Sequence, residues 1–258
     1  MKQVSASVIA TDEVMPGIYL IWLESPDIEP AAQPGQFVMV RCGNYPLPRP
    51  LSIHRLADKG GKLALLFTMM GKGTYWLSQR KAGDNIDLFG PLGNGFSIDA
   101  ASRNLLLVAG GIGIATLHFV AQEAIKKGCS VKLLYGTPNE HRYPEDLLPS
   151  QIELISVTED GTAGKKGMVT DLLPDFVNWA DQVFACGPMP MYRDMARRKQ
   201  ELKLEGKPVQ VSLEMRMGCG LGVCYACTVK TKNGLKQVCR DGPVFDLDDI
   251  LWDELADI

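Results

Sequence analysis

Asn104-Leu105-Leu106-Leu107-Val108-Ala109, followed by Gly110-Gly111-Ile112-Gly113, decides the fold. The first six residues are apolar after Asn104 and show no polar alternation, the pattern of a strand covered on both faces. The glycines then turn the chain into a helical stretch that runs to about Lys127. A glycine turn at a helix start leaves N–H groups free to cradle a phosphate, so Gly110, Gly111 and Gly113 are candidate cofactor-binding residues. The motif is not a complete G-x-G-x-x-G, and a plain strand–helix turn is the alternative reading.

Downstream, Val131–Tyr135, Ile152–Val157 and Gln182–Cys186 read as further strands, and Pro188–Glu205 as a helix. Strands alternating with helices predict a parallel, Rossmann-like sheet of the dinucleotide-binding kind. Upstream the rhythm is different: Val4–Ile9, Gly17–Leu23, Gln36–Arg41, Lys62–Met69 and Asn85–Phe89 are short β-type runs between Gly, Pro and Asp clusters. They predict an antiparallel barrel or sandwich, with one helical insert at Thr74–Lys81. Beyond residue 206 come a strand (Val209–Leu213), a cysteine cluster, a hairpin at Asn233-Gly234 and an acidic tail, Asp246–Asp253, read as a solvated helix face. The expected organisation is a β-barrel over 1–99, an α/β domain over 100–206 and a small module over 207–258.

Hydrophobic residues make up 46% and charged residues 22% of 258 positions, the balance of a protein that buries real cores. A net charge of −3 offers no electrostatic footprint for nucleic acid, and no run of about 18 apolar residues predicts a membrane span. Met1-Lys2-Gln3-Val4-Ser5 carries no secretory apolar core, so a cytoplasmic location is expected. In that reducing compartment the seven cysteines read as metal ligands or catalytic groups rather than disulfides.

Cys42, Cys129 and Cys186 are scattered, whereas Cys219, Cys224, Cys227 and Cys239 fall within 21 positions. The C-x4-C-x2-C…C spacing is that of a plant-type [2Fe–2S] site with a short final gap. Four thiolates converging on two irons need a tightly curled backbone, and Gly218, Gly220 and Gly222 permit the positive φ such a curl demands. The alternative is structural zinc, but zinc modules bring their ligands as two separated C-x2–4-C pairs. Three ligands inside nine residues fit that poorly.

Arg49-Pro50-Leu51-Ser52 falls on a predicted strand, and Gly71-Lys72-Gly73-Thr74 opens a helix about twenty residues later. A flavin needs a cation for its pyrophosphate, a donor at the ring edge and a helix start for phosphate charge. Arg49, Ser52 and the Gly71, Gly73, Thr74 turn offer these in that order. Taken alone, the same fragments equally suit a solvated arginine and a capped turn. The pattern Arg-x-Leu-Ser followed by Gly-Thr resembles the flavin motif of the ferredoxin-NADP reductase superfamily, whose barrel precedes a nicotinamide domain. The resemblance implies FAD held by Arg49, Pro50, Leu51, Ser52, Gly71, Gly73 and Thr74, with Leu66, Phe67 and Thr68 from the strand between. Leu51 stands where that superfamily usually has an aromatic, so stacking there must differ.

Cys186-Gly187-Pro188-Met189-Pro190 resembles the same superfamily's C-G-P-x-x motif. This implies Cys186 as a catalytic residue and Gly187 as a binding residue beside the nicotinamide; the plain alternative is a buried cysteine at a strand end. The superfamily's glycine turn is often followed by Ala-Pro, where this chain has Ala115-Thr116, a departure expected to alter only the helix's first turn. NAD is expected over NADP, because Thr137-Pro138-Asn139-Glu140 has no arginine before Arg142 and Glu159-Asp160 adds acidity. His54 follows the flavin strand and reads as a packed or surface residue, with a place near the ring as the alternative; His118, on a helix, and His141, in a loop, show no partner pattern.

Leu213–Gly220, Cys224-Tyr225-Ala226-Cys227 and Val238–Phe245 together resemble the electron-transfer subunits of the dihydroorotate dehydrogenase B family, over essentially the whole chain. The resemblance implies FAD, a [2Fe–2S] cluster, NAD and an FMN-containing catalytic partner subunit that oxidises dihydroorotate in pyrimidine biosynthesis, in a heterotetramer. Three redox elements would occupy nearly all the chain and leave no domain for an organic substrate. A reductase subunit serving an oxygenase, a hydrogenase or a ferredoxin-dependent enzyme would share every cofactor and stays open. A zinc-stabilised binding module is the non-enzymatic alternative.

Overall fold

The computed structural model describes residues 1–58 and 60–255; the last three positions of the expected C-terminal module, 256–258, lie outside the described residues. Six antiparallel strands form the N-terminal unit: β1 (Lys2–Met15), β2 (Ile18–Glu24), β3 (Phe37–Val40), β4 (Arg49–Leu56), β5 (Lys62–Thr68) and β6 (Asn85–Leu92). They close into a barrel in the order β1-β2-β5-β4-β3-β6, which removes open edges. The long β1 pairs with β2 at one end and β6 at the other, bending through two register shifts. Helix α1 (Lys72–Ser78) lies between β5 and β6 and begins two residues before the predicted start. The Thr74 hydroxyl accepts the Met70 and Gly71 N–H groups at 2.9 and 3.1 Å, capping the turn that precedes it.

The second unit carries β7 (Asn104–Gly110), helix α2 (Ile114–Lys126), β8 (Ser130–Thr137), β9 (Ile152–Thr158), β10 (Lys165–Lys166), the single turn α3 (Leu173–Phe176), β11 (Gln182–Cys186), helix α4 (Met189–Arg197) and β12 (Val209–Ser212). The hairpin β13 (Thr228–Thr231) and β14 (Gly234–Gln237), a turn α5 (Val238–Asp241) and β15 (Val244–Asp246) follow. The sheet runs β10-β9-β8-β7-β11-β12-β15, parallel except for β15. After β7 the chain builds outward through β8 and β9, then returns to add β11 on β7's other side. That reversal opens a crevice at the carboxyl ends of β7 and β11, the ordinary place for a ligand in an open α/β sheet. Because β12 and β15 both join this sheet, the cysteine loop is an insertion between two of its strands.

Two expected elements come out differently. The predicted helix Pro188–Glu205 ends at Arg197. Leu202 and Leu204 are both fully buried, a spacing of two that one helix face cannot bury, and Lys203 between them adopts φ 57°. The acidic tail is not a solvated helix. Leu247, Ile250 and Trp252 are buried in the core shared by the sheet and cysteine module, and Trp252 Nε1 donates to Leu247 O at 2.8 Å. Its aspartates mark the solvent side of an irregular segment whose apolar residues face in. Among the described residues no helix is long and apolar enough to cross a membrane.

Candidate functional site

The cysteine loop curls between β12 and β13 and packs against the barrel. Gly220 and Gly222 adopt φ 70° and 77°. A Cβ on Gly220 would lie 2.7 Å from Met39 Cγ on β3, so this position combines positive φ with close approach to the barrel. Gly218 does not share the positive φ expected of it; its lack of a side chain leaves room for Cys224 Sγ, 3.4 Å from where a Cβ would stand. The four thiols fall two and two. Cys227 and Cys239 are buried in the large apolar core and contact each other, while Cys219 is half-buried and Cys224 exposed, again in mutual contact. Among the described residues no three His, Cys, Asp or Glu side chains close on one point as a mononuclear ion requires. Two pairs suit a binuclear cluster, with two thiolates per iron.

Backbone N–H groups point at the sulfurs. Leu221 N donates to Cys219 Sγ at 3.3 Å, Gly222 N to Cys239 Sγ at 3.1 Å and Cys239 N to Cys227 Sγ at 3.4 Å. Burial pushes the Cys219 thiol up, but N–H donors from Leu221, Cys224 and Val223 outweigh it and bring the thiol down to about 6. Burial and the adjoining Cys227 push the Cys239 thiol up. A groove of about 440 Å³ opens beside Cys219 between the 41–48 loop and β6, with Met39, Tyr45 and Phe89 in its walls.

The candidate flavin residues lie one strand away. On β4, Arg49, Pro50, Leu51 and Ser52 are half-buried and pair in register with Val40, Met39, Val38 and Phe37 of β3. The Arg49 guanidinium lies over Gly73, where an added Cβ would stand 2.9 Å from Arg49 Nε. Arg49 Nη1 donates to Leu47 O at 2.7 Å, and no carboxylate among the described residues pairs with it, so its charge is available to a phosphate. Gly71 and Thr74 stand at the start of α1 beside it. These residues fit a flavin phosphate. Leu66 and Phe67 turn their side chains into separate apolar cores, Phe67 stacking on Tyr19 with centroids 5.9 Å apart, so only their backbone faces outward; Thr68 at the strand end is half-buried.

At the crevice, Cys186 ends β11 beside Ala109 of β7 and Ser212 of β12. A Cβ on Gly113 would collide with the Cys186 carbonyl, and one on Gly187 would come within 3.1 Å of Gly110 Cα. The two glycine motifs, over 70 residues apart, therefore pack backbone to backbone. Gly111 faces open space. Cys186 is buried, and desolvation, reinforced by the Glu214 carboxylate, pushes its thiol up to about 12, so it is a neutral S–H rather than a nucleophile. Glu214 exposes its side chain, yet the surrounding mass raises its carboxyl through desolvation. Tyr192 of α4 accepts the Gly187 N–H at 2.9 Å and donates to Ser212 O at 2.6 Å, pinning the Cys186-Gly187 turn.

The two candidate sites meet through α2. Thr116 Oγ1 donates to Ser52 Oγ at 3.0 Å and lies in hydrogen-bonding contact with Cys186. Its effect is not confined to the helix's first turn. Two residues along β4 on the same face, His54 Nδ1 donates to Ala115 O at 2.8 Å and its Nε2 accepts the Tyr143 hydroxyl at 2.9 Å. Two further on, Leu56 exchanges hydrogen bonds with the Gln122 side chain at 3.2 and 2.9 Å. His118 lies with its ring centroid 4.5 Å from that of His54, so the histidines do have partners. Desolvation drives His54 well below its ordinary pKa and brings His118 down to about 4, so both are neutral. Sequence reasoning missed Thr116, Tyr143, Tyr192 and Glu214. Only Thr116 carried a signal, as a departure from the Ala-Pro pattern.

Residues 214–251 match the family model described as the iron–sulfur cluster binding domain of dihydroorotate dehydrogenase B. The chain is 38% identical to the dihydroorotate dehydrogenase B (NAD(+)) electron transfer subunit of Desulforamulus reducens, covering 98% of this chain and 99% of that one. It is 38% identical to the like-named subunit of a Geobacillus species, over 95% and 97% of the two chains. Among solved structures it is similar to a chain of an NADH-dependent reduced ferredoxin-NADP oxidoreductase, studied for flavin-based electron bifurcation, with TM-score 0.87, 31% identity and coverage of 98% and 91%.

Proposed function

The chain belongs to the family of electron-transfer subunits of dihydroorotate dehydrogenase B, an oxidoreductase, and on that premise we propose that it moves electrons between NAD and an FMN-containing catalytic subunit. Bound FAD would supply hydride exchange with the nicotinamide, and a bound [2Fe–2S] cluster would supply one-electron steps toward the partner. The observation that carries this reading is the position of β3. Its Met39 touches Gly220 of the cysteine loop and pairs with Pro50 of the candidate flavin strand, so the two centres lie on either side of one strand.

The three units divide the work. Residues 1–99 hold FAD, 100–206 hold NAD and 207–258 hold the cluster. Arg49 neutralises the pyrophosphate, with Gly71, Gly73 and Thr74 shaping the turn around it, while Pro50, Leu51, Ser52 and the backbone of Leu66, Phe67 and Thr68 border the ring. Gly110, Gly111 and Gly113 cradle the dinucleotide, and Cys186 and Gly187 flank the nicotinamide. Cys219, Cys224, Cys227 and Cys239 would hold the two irons, the exposed pair on one and the buried pair on the other. Glu159 N donates to Thr137 O at 3.1 Å, which holds the acidic 159–160 loop against the end of β8 and favours NAD over NADP. The exposed Leu221, Val223 and Tyr225 surround the cluster and suit a protein partner. The site of action is the cytoplasm.

Co-expression with an FMN-containing dihydroorotate dehydrogenase catalytic subunit, under nitrogen, tests the proposal. Dihydroorotate-dependent reduction of NAD by a complex containing FAD, iron and acid-labile sulfide is the expected result. A colourless, sulfide-free preparation would overturn it. The likeness to the ferredoxin-NADP oxidoreductase chain favours a second reading, in which the same relay serves a different electron-accepting partner. A complex that is reduced by NADH but never forms orotate would decide for the second.

A further inference from the structure

Thr116 occupies the third position of α2 with its side chain buried between two units of the protein. One neighbour is Ser52 on the candidate flavin strand, whose Oγ accepts the Thr116 hydroxyl proton at 3.0 Å. The other is Cys186 on the candidate nicotinamide strand, within hydrogen-bonding reach of the same hydroxyl. A hydroxyl has one proton to give and two lone pairs to offer. While Thr116 donates to Ser52, the Ser52 oxygen is occupied as an acceptor, and the Ser52 proton must point to another group. On its other side lies Cys186, whose Sγ donates to Ser212 O at 3.9 Å, so the thiol packs against Thr116 and does not compete for its proton. The donation from Thr116 thus leaves the Ser52 proton aimed away from α2, while the same side chain packs against Cys186.

We propose that Thr116 is a positioning residue for hydride transfer, fixing both the distance between Ser52 and Cys186 and the direction in which the Ser52 hydroxyl donates. The inference rests on the functional reading above, in which Ser52 borders the flavin and Cys186 the nicotinamide. In that step the C4–H bond of NADH breaks, and its hydrogen and electron pair pass together to the flavin, oxidising the one and reducing the other. Rotational freedom at Ser52 or Cys186 loosens the approach of the two rings, and small misplacements at a reacting centre cost rate rather than binding. A valine at 116 keeps the shape and removes the hydroxyl; a serine keeps the hydroxyl.

The test is rapid mixing of the purified holoenzyme complex with NADH, comparing wild type, Thr116→Val and Thr116→Ser. Thr116→Val is expected to lower the limiting rate of flavin reduction about tenfold, the size of effect one lost hydrogen bond permits, with the NADH Kd within about twofold of wild type. Its resting flavin absorption bands shift without any turnover, while melting temperature, FAD and sulfide contents match wild type. Thr116→Ser recovers both rate and spectrum. A Thr116→Val enzyme with wild-type rate and spectrum overturns the inference. So does a Thr116→Ser enzyme as slow as the valine variant, or a valine variant that has lost FAD. Wild-type enzyme that NADH leaves oxidised overturns the functional reading itself, a result distinguishable from all of these.

Discussion

The β4–α2 clasp and the cysteine loop both join segments far apart in sequence, and they do so by opposite means. In the clasp, the Ser52 hydroxyl, the His54 imidazole and the Leu56 backbone hold α2, the histidine's bond buried and the other two half-buried. In the loop, glycines let backbone press against Met39 and Arg240, two thiols stay outside the core, and N–H groups aim at sulfur instead of at carbonyl oxygen. The bonds of the clasp join two parts of the chain to each other without any bound group between them. The loop is complete only with a positively charged group between its thiols. Rigidity between the two nucleotide-binding units therefore comes from the polypeptide, whereas order at the cysteine loop depends on what it binds.

The largest test of that contrast is Cys224→Ser. It should abolish the cluster, taking acid-labile sulfide to near zero, while FAD remains bound because the clasp and barrel are untouched. Stoichiometric sulfide in the variant would show the ligand set to be wrong. His54→Ala attacks the other region. It strands the Ala115 carbonyl and the Tyr143 hydroxyl in a buried place, which should cost about 3 kcal/mol and lower the melting temperature by about 6–12 °C. A loss below about 1 kcal/mol in calorimetry would mean that the clasp does not hold the units together.

Gly220→Ala should cost about 2 kcal/mol, from positive φ and the clash with Met39, and should act on the loop alone. Faster bleaching of the cluster in air, with unchanged FAD release, is the expected signature. The smallest effect is a pH dependence. His118 is held down to about 4 in the folded chain, by burial above all, against about 6.5 when unfolded. Between these values the unfolded state binds a proton that the native state refuses, so stability falls as pH drops below about 6.5, by about 1.4 kcal/mol per pH unit for this group. Denaturant midpoints of His118→Gln between pH 7 and 5 should show a shallower slope than wild type. An unchanged slope would remove His118 from the account.

Local spacing carried the cysteine site. Four thiols within 21 positions, with glycines between them, can close on a binuclear centre almost whatever surrounds them, because the ligands bring the geometry. The barrel and the parallel sheet were legible for a similar reason: within Lys62–Thr68 and Asn104–Gly110, residues 63–67 and 105–110 are uninterrupted apolar runs that lie a few residues from turn signals. The helix predicted to reach Glu205 was misjudged because charge-rich residues in Arg197–Glu205 suit a helix locally, while burial of Leu202 and Leu204 overrides them.

The sequence alone determined the order of the units, the glycine turn and the clustering of the four cysteines proposed as ligands, since each of those depends on residues close together in the chain. Only the tertiary structure decided that Ser52, Thr116 and Cys186 meet, that His54 grips α2 beside His118, and that two thiols lie inward and two outward. Those facts depend on the register of β4 against the helix and on the strand order that places β11 beside β7, which are set by packing between segments 60 or more residues apart. No local pattern carries that information.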